Sequence, residues 1–83
     1  MPAGQRKSTM RREIRTYIQD QIARGVYRPG DRIVETQLAR EMNVSQAPVR
    51  EALRALASEG WLEIKNGVGA YVKPLSTKDM EDL

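Results

Sequence analysis

The stretch Val44-Ser45-Gln46-Ala47-Pro48-Val49-Arg50-Glu51-Ala52-Leu53-Arg54-Ala55-Leu56 decides the fold of this chain. It reads as a helix with a start signal and one apolar face. Ser45 stands where it can cap the unpaired N–H groups of a first turn, and Pro48 sits where a helix tolerates proline. At roughly 100° per residue, Val49, Ala52, Leu53 and Leu56 share one side, while Ala47, Arg50 and Arg54 point elsewhere. A short helix whose N-terminal end offers donors and whose flank offers arginine is suited to a DNA groove.

The residues before this stretch supply its partner. Glu35 to about Met42 reads as a short helix with Leu38, Ala39 and Met42 on one face, and Glu35 in its first turn complements the helix dipole. Asn43 tolerates left-handed geometry and breaks that helix. Two short helices joined by about three residues, the second opening on polar groups, form a helix-turn-helix pattern. Further upstream, Met10, Ile14, Tyr17, Ile18 and Ile22 recur at three- and four-residue spacing, which predicts a first helix capped by Ser8 or Thr9 and stopped by Gly25. Tyr27-Arg28-Pro29-Gly30-Asp31 is a turn, and Arg32-Ile33-Val34 is a brief extended segment that needs partner strands from the C-terminal end.

Downstream, Gly60 ends the long helix, and Trp61-Leu62-Glu63-Ile64-Lys65 and Val68-Gly69-Ala70-Tyr71-Val72-Lys73 flank Asn66-Gly67. Asn-Gly between β-prone runs predicts a hairpin closed by a type I′ turn, with Leu62 and Ile64 on its buried face. Gly69 suggests a bulge or a close backbone approach, and Pro74 ends the strand. The fold class is therefore mostly α with a small antiparallel sheet (α+β): a winged helix-turn-helix of three helices plus a β-hairpin wing. Residues 1–7 read as a disordered basic N-terminal arm, 8–74 as the folded domain, and 75–83 as a linker into a further domain.

Composition narrows the chemistry. The chain has 83 residues, no cysteine and no histidine. That removes disulfide frameworks, Cys/His zinc sites and most nucleophile–base pairs. Asp20, Asp31, Glu35, Glu41, Glu51, Glu59 and Glu63 are scattered singly among basic residues, so no carboxylate pair reads as general acid and base. A chain this short buries only roughly 60–65% of its unfolded surface, and a large substrate pocket would compete with its core. Neither catalysis nor a cofactor is expected. Fourteen Lys and Arg against eleven Asp and Glu give a net charge of +3. Arg6, Lys7, Arg11, Arg12 and Arg15 crowd one end, an asymmetry that suits contact with a polyanion as well as a solubilising surface. No apolar run approaches the ~20 residues of a membrane span and no signal-peptide core follows the basic start, so the expected location is cytoplasmic.

Ile22-Ala23-Arg24-Gly25, Pro29-Gly30-Asp31-Arg32, Leu38-Ala39, Val44-Ser45-Gln46-Ala47-Pro48-Val49-Arg50-Glu51-Ala52-Leu53, Leu56, Glu59-Gly60 and Gly67-Val68-Gly69-Ala70-Tyr71-Val72 together closely resemble the GntR family of bacterial transcription regulators. The likeness covers roughly residues 10–74, and the tail from Leu75 to Leu83 resembles the entrance to the helical effector domain of the FadR-type branch. The resemblance implies that Ser45, Gln46 and Ala47 open a recognition helix in the major groove of double-stranded DNA. It implies that Arg50 lies against the DNA, that Asn66 and Gly67 form a wing tip at the minor groove, and that Thr36 holds a position that is often arginine in relatives. It further implies a homodimer on a palindromic operator, tuned by a small-molecule effector in the C-terminal domain. Gln46 and Thr36 depart from the arginines of many relatives. Glutamine pairs better with adenine, whereas arginine reads guanine in a bidentate way.

Each reading has a plainer competitor. Arg50 contacts DNA or pairs with Glu51 or Glu41, and its place beside Ser45 favours DNA. Arg54 divides between phosphate contact and solvent, as do Arg11, Arg12 and Arg15. Trp61 reads as a packing anchor between helix and wing. For the whole chain the alternatives are a winged helix that binds another protein, or the N-terminal domain of a GntR-like protein fused to an aminotransferase-like, pyridoxal-phosphate-binding domain.

Overall fold

A computed structural model describes residues 3–65 and 69–74, with side chains from residue 10 onward. Three helices, α1 (Ala3–Ala23), α2 (Glu35–Met42) and α3 (Gln46–Ser58), combine with three short strands, β1 (Arg32–Ile33), β2 (Leu62–Ile64) and β3 (Ala70–Val72). The expected class, α+β with a winged helix-turn-helix, is the observed one.

The apolar stripes meet where their spacing aims them. Ile14 and Ile18 from α1, Leu38 and Ala39 from α2, and Val49, Ala52, Leu53 and Leu56 from α3 are buried together with Ile33, Leu62, Ala70 and Val72. Val49, Ala52 and Leu56 are 0% exposed, so α3 is the central element and α1 lies along it. Trp61 packs at the margin of this core, as an anchor between α3 and the wing should.

α1 is longer at its start than its apolar stripe requires. It begins at Ala3 rather than at Ser8, so residues 3–7 belong to the helix and not to a disordered arm. Between Ala3 and Lys7 only Gly4 is a poor helix former, and propensity carries the helix past the last core-facing residue. Residues 75–83, expected as a linker, lie outside the described residues.

α3 ends in a tight hydrogen-bonded cap. The Gly60 N–H donates to the Ala57 carbonyl at 3.1 Å, the Trp61 N–H donates to the Leu56 carbonyl at 2.9 Å, and Gly60 has φ +92°. This pairing satisfies two carbonyls at the helix end and needs a residue with positive φ, which glycine adopts at least cost. It also turns Trp61 back onto Leu56.

The sheet order is β1-β3-β2, all antiparallel. Arg32-Ile33 finds the partner it needs in β3, and the hairpin strands pair Leu62 with Val72, Glu63 with Tyr71 and Ile64 with Ala70. Turn preference alone would set a different register. A two-residue Asn66-Gly67 turn would set Leu62 opposite Tyr71 and send Ala70 and Val72 to the solvent face. The observed pairs leave three residues, 66–68, between Lys65 and Gly69, whose N–H and carbonyl close the connection at 3.3 Å. Burial decides the matter, because a one-residue slip exchanges the two faces of a strand. Ala70 and Val72 are each 2% exposed. Ile64, expected on the buried face, is 43% exposed because it lines an open cleft rather than the closed core.

Candidate nucleic-acid interface

The turn between α2 and α3 is three residues, Asn43 to Ser45. Asn43 adopts φ 57°, ψ 48°, and the Asn43 and Val44 N–H groups donate to the Arg40 and Ala39 carbonyls at 3.2 and 2.9 Å. Asparagine fits here because it enters left-handed geometry more easily than other residues bearing a Cβ.

Ser45 has the extended backbone of an N-cap (φ −73°, ψ 166°), yet its side chain makes no cap hydrogen bond. One of its two usual donors is missing. A capping hydroxyl accepts from the second or third N–H of the helix, and the third residue here is Pro48, which has none. Ser45, Gln46 and Ala47 are all exposed, so the first turn of α3 faces solvent with polar groups forward.

Behind that turn the chain closes a cleft of about 380 Å³ between the two short helices and the sheet. Arg32, Glu35, Thr36, Arg50, Arg54 and Gly69 are among its lining residues. Three of the residues singled out in the sequence, Thr36, Arg50 and Arg54, thus converge on one concave surface from two helices. Asn66 and Gly67, the expected wing tip, lie outside the described residues.

Arg50 has an acidic partner, but neither of those expected. Its Nε donates to both Glu35 carboxylate oxygens at 3.2 Å, and its Nη2 donates to Glu35 Oε1 at 2.9 Å. Glu51 is instead turned toward α1, where it accepts from Arg11 at 2.8 Å, and Glu41 accepts from Gln37 at 3.2 Å. Glu35 opens α2 and Arg50 is the fifth residue of α3, and the packing of the two helices brings these residues, fifteen apart in sequence, into a bidentate pair. Such geometry is the strongest form of carboxylate–guanidinium contact. The hydrogen bond to Glu35 and its charge raise the Arg50 pKa further above the arginine range, so Arg50 is a permanent cation.

On the opposite flank of α3, Arg11 pairs with Glu51 and Arg15 with Glu59. The alternatives for these arginines were phosphate contact and solvent; both instead clasp α1 to α3. Arg32 is a cleft residue that sequence reasoning did not single out. It occupied a turn-and-strand segment read only for fold, and its place in the cleft depends on β1 joining β3.

Comparison with known proteins fixes what this surface belongs to. Residues 10–72 match the model of the bacterial regulatory proteins of the gntR family. The chain belongs to the GntR family. Relatives include the mannosyl-D-glycerate transport/metabolism system repressor MngR of Escherichia coli K12, 46% identical over 63 residues, covering 75% of this chain and 26% of the relative. A probable D-xylose utilization operon transcriptional repressor of Paenarthrobacter nicotinovorans is 38% identical over 89% of this chain and 33% of its own length. A GntR-family regulator of solved structure from Pseudomonas syringae pv. tomato superposes with a TM-score of 0.76 at 34% identity, over 99% of this chain and 33% of that one. The chain therefore spans about a quarter to a third of the length of such relatives. It is a GntR-type DNA-binding winged helix-turn-helix domain, and the relatives it matches are transcriptional regulators. Among the described residues no helix of this GntR domain is long and apolar enough to cross a membrane, and no group of His, Cys, Asp or Glu could hold a metal ion.

Proposed function

We infer that this domain reads the operator of a metabolite-responsive repressor of the FadR-type branch. α3 enters the major groove by its first turn, where Gln46 and Ala47 meet base edges and Ser45 meets the adjoining phosphate. Arg50 and Arg54 follow on the same helix toward the DNA backbone, and Thr36 approaches from α2. Asn66 and Gly67 carry the wing to the neighbouring minor groove. The observation that carries this reading is the uncapped, exposed turn Ser45-Gln46-Ala47 standing beside a cleft walled by Arg50 and Arg54. Phosphate contacts supply affinity and register, and base edges supply sequence preference.

The intact regulator is a cytoplasmic homodimer on a palindrome, with an effector-binding domain that shifts operator affinity. The greater length of the relatives and the repressor names of two of them support this part.

Selection of bound sequences from a random duplex pool tests the reading. The expected product is a half-site in which Gln46→Ala relaxes preference at one position. Arg50→Ala is expected to weaken binding about tenfold without that relaxation, a loss typical of one backbone contact. An unenriched pool, or binding that ignores salt, would sink the proposal.

A further inference from the structure

Arg50 is held by one edge and open at the other. Its Nε and Nη2 face Glu35, 2.9 to 3.2 Å from the carboxylate oxygens, and among the described residues nothing accepts from Nη1. The Arg50 side chain is 51% exposed and that of Glu35 26%. A guanidinium is a rigid planar fork, so a carboxylate that fixes its Nε edge also fixes where the free edge points. Arg50 therefore stands in the cleft wall already aimed.

Two plainer roles for Glu35 do not account for this geometry. Glu35 opens α2, where a carboxylate suits the helix dipole. The dipole needs only a negative charge near the first turn, not both carboxylate oxygens turned onto an arginine of the neighbouring helix. Stability is a weak reason as well, because a pair this exposed contributes little. A carboxylate beside a surface that takes up phosphate repels every duplex. Its contribution lies in choosing among duplexes rather than in holding them.

We propose that Glu35 is a positioning residue for DNA specificity: it pins the Nε edge of Arg50 so that only the Nη1 edge is offered to a duplex. The proposal rests on the major-groove placement of α3 inferred above. A phosphate reaches the free edge when α3 is seated in the register that also sets Gln46 on its base edges. In any other register the phosphates meet an arginine that does not match them and a carboxylate beside it. A loose Arg50 would swing toward phosphates in every register and bind all duplexes alike.

The test compares two labelled duplexes of about 20 base pairs at about 0.1 M KCl. One is the duplex that the wild-type chain selects from a random pool, and the other has random sequence. Glu35→Gln keeps the size of the side chain and removes its charge. It is expected to bind the random duplex about threefold more tightly and the selected duplex about threefold more weakly, so that the preference between them falls about tenfold. Arg50→Lys keeps the charge but has no second edge to offer, and is expected to lower the same preference. In an Arg50→Ala background, Glu35→Gln is expected to leave the preference where Arg50→Ala put it, because Glu35 acts through Arg50. Equal tightening on both duplexes would make Glu35 a charge offset alone and overturns the proposal. Equal weakening with a lower melting temperature would make it structural and overturns the proposal too. Should Glu35→Gln fail to fold, Arg50→Lys decides, and an unchanged preference in that variant overturns the proposal. A pool that yields no preferred sequence would instead refute the DNA reading beneath it.

Discussion

Arg11 and Arg15 reach from α1 to Glu51 and Glu59 on one flank of α3, whereas Arg50, Arg54 and Arg32 converge on the other flank around the carboxylate of Glu35. The two flanks draw on the same residue types. They differ in balance: one arginine to one carboxylate where helix meets helix, Arg50 and Arg54 to the single carboxylate of Glu35 where the helix faces the cleft. A neutralised flank holds the fold together, and an under-neutralised flank keeps potential for a polyanion. Charge counted along the chain does not separate these cases: the segment around Arg11 and Arg15 is the more basic one, yet it forms the balanced flank.

The contrast assumes that both flanks hang on one core. Leu56→Ala removes a side chain that is 0% exposed, at the point where α3 meets α1 and Trp61 turns back. A loss of about 2–5 kcal/mol is expected, comparable with the whole stability of a small domain. Urea unfolding followed by circular dichroism should show it, with DNA binding lost in parallel. A cost below about 1 kcal/mol would mean that the flanks are held independently of this core.

Next in size is the contrast itself. Arg54→Ala should weaken duplex binding about fivefold to tenfold and leave thermal unfolding unchanged, as loss of a phosphate contact does. Arg15→Ala should do the reverse, costing at most about 1 kcal/mol of stability, because the pair is partly exposed, with affinity intact. If Arg15→Ala weakens DNA binding as much as Arg54→Ala, the two flanks are not functionally distinct.

Glu35→Gln sharpens the account of the cleft. Removing the negative charge should tighten binding to a random duplex by about threefold and steepen its salt dependence. Weaker binding would show that Glu35 matters more for holding Arg50 in place than for offsetting its charge.

The smallest effect lies away from both flanks. Burial first, then the charges of Tyr17 and Glu41 and a hydrogen bond with Tyr17, push the Tyr27 pKa up to about 12 from 10.0. The folded state thus favours the neutral phenol. The corresponding stability is fully present below pH 10 and is lost as pH rises toward about 12. The melting temperature should fall between pH 9 and pH 11.5, and Tyr27→Phe should flatten that fall. An equally steep fall in the variant would assign it to other groups.

Much of the site was legible. Val49, Ala52, Leu53 and Leu56 fixed the buried face of α3, and so fixed which residues remained outside. Asn43 marked the turn, and Ser45-Gln46-Ala47 the exposed start. What sequence reading missed has a common form. The Arg50–Glu35 pair joins residues from two helices, the cleft adds β1 and β3, and Arg32 enters it only because β1 docks on β3. The wing register was not legible for a related reason. Asn66-Gly67 argues locally for a two-residue turn, but the cost of exposing Ala70 and Val72 outweighs turn preference.

By itself, then, the sequence determined the element order, the core face of each helix and the family, because periodicity, turn chemistry and a dense motif are local properties of the chain. Tertiary structure decided which arginines clasp α1 to α3 and which line the cleft. That partition depends on distances of a few ångströms between residues far apart in the chain, and no local pattern encodes them.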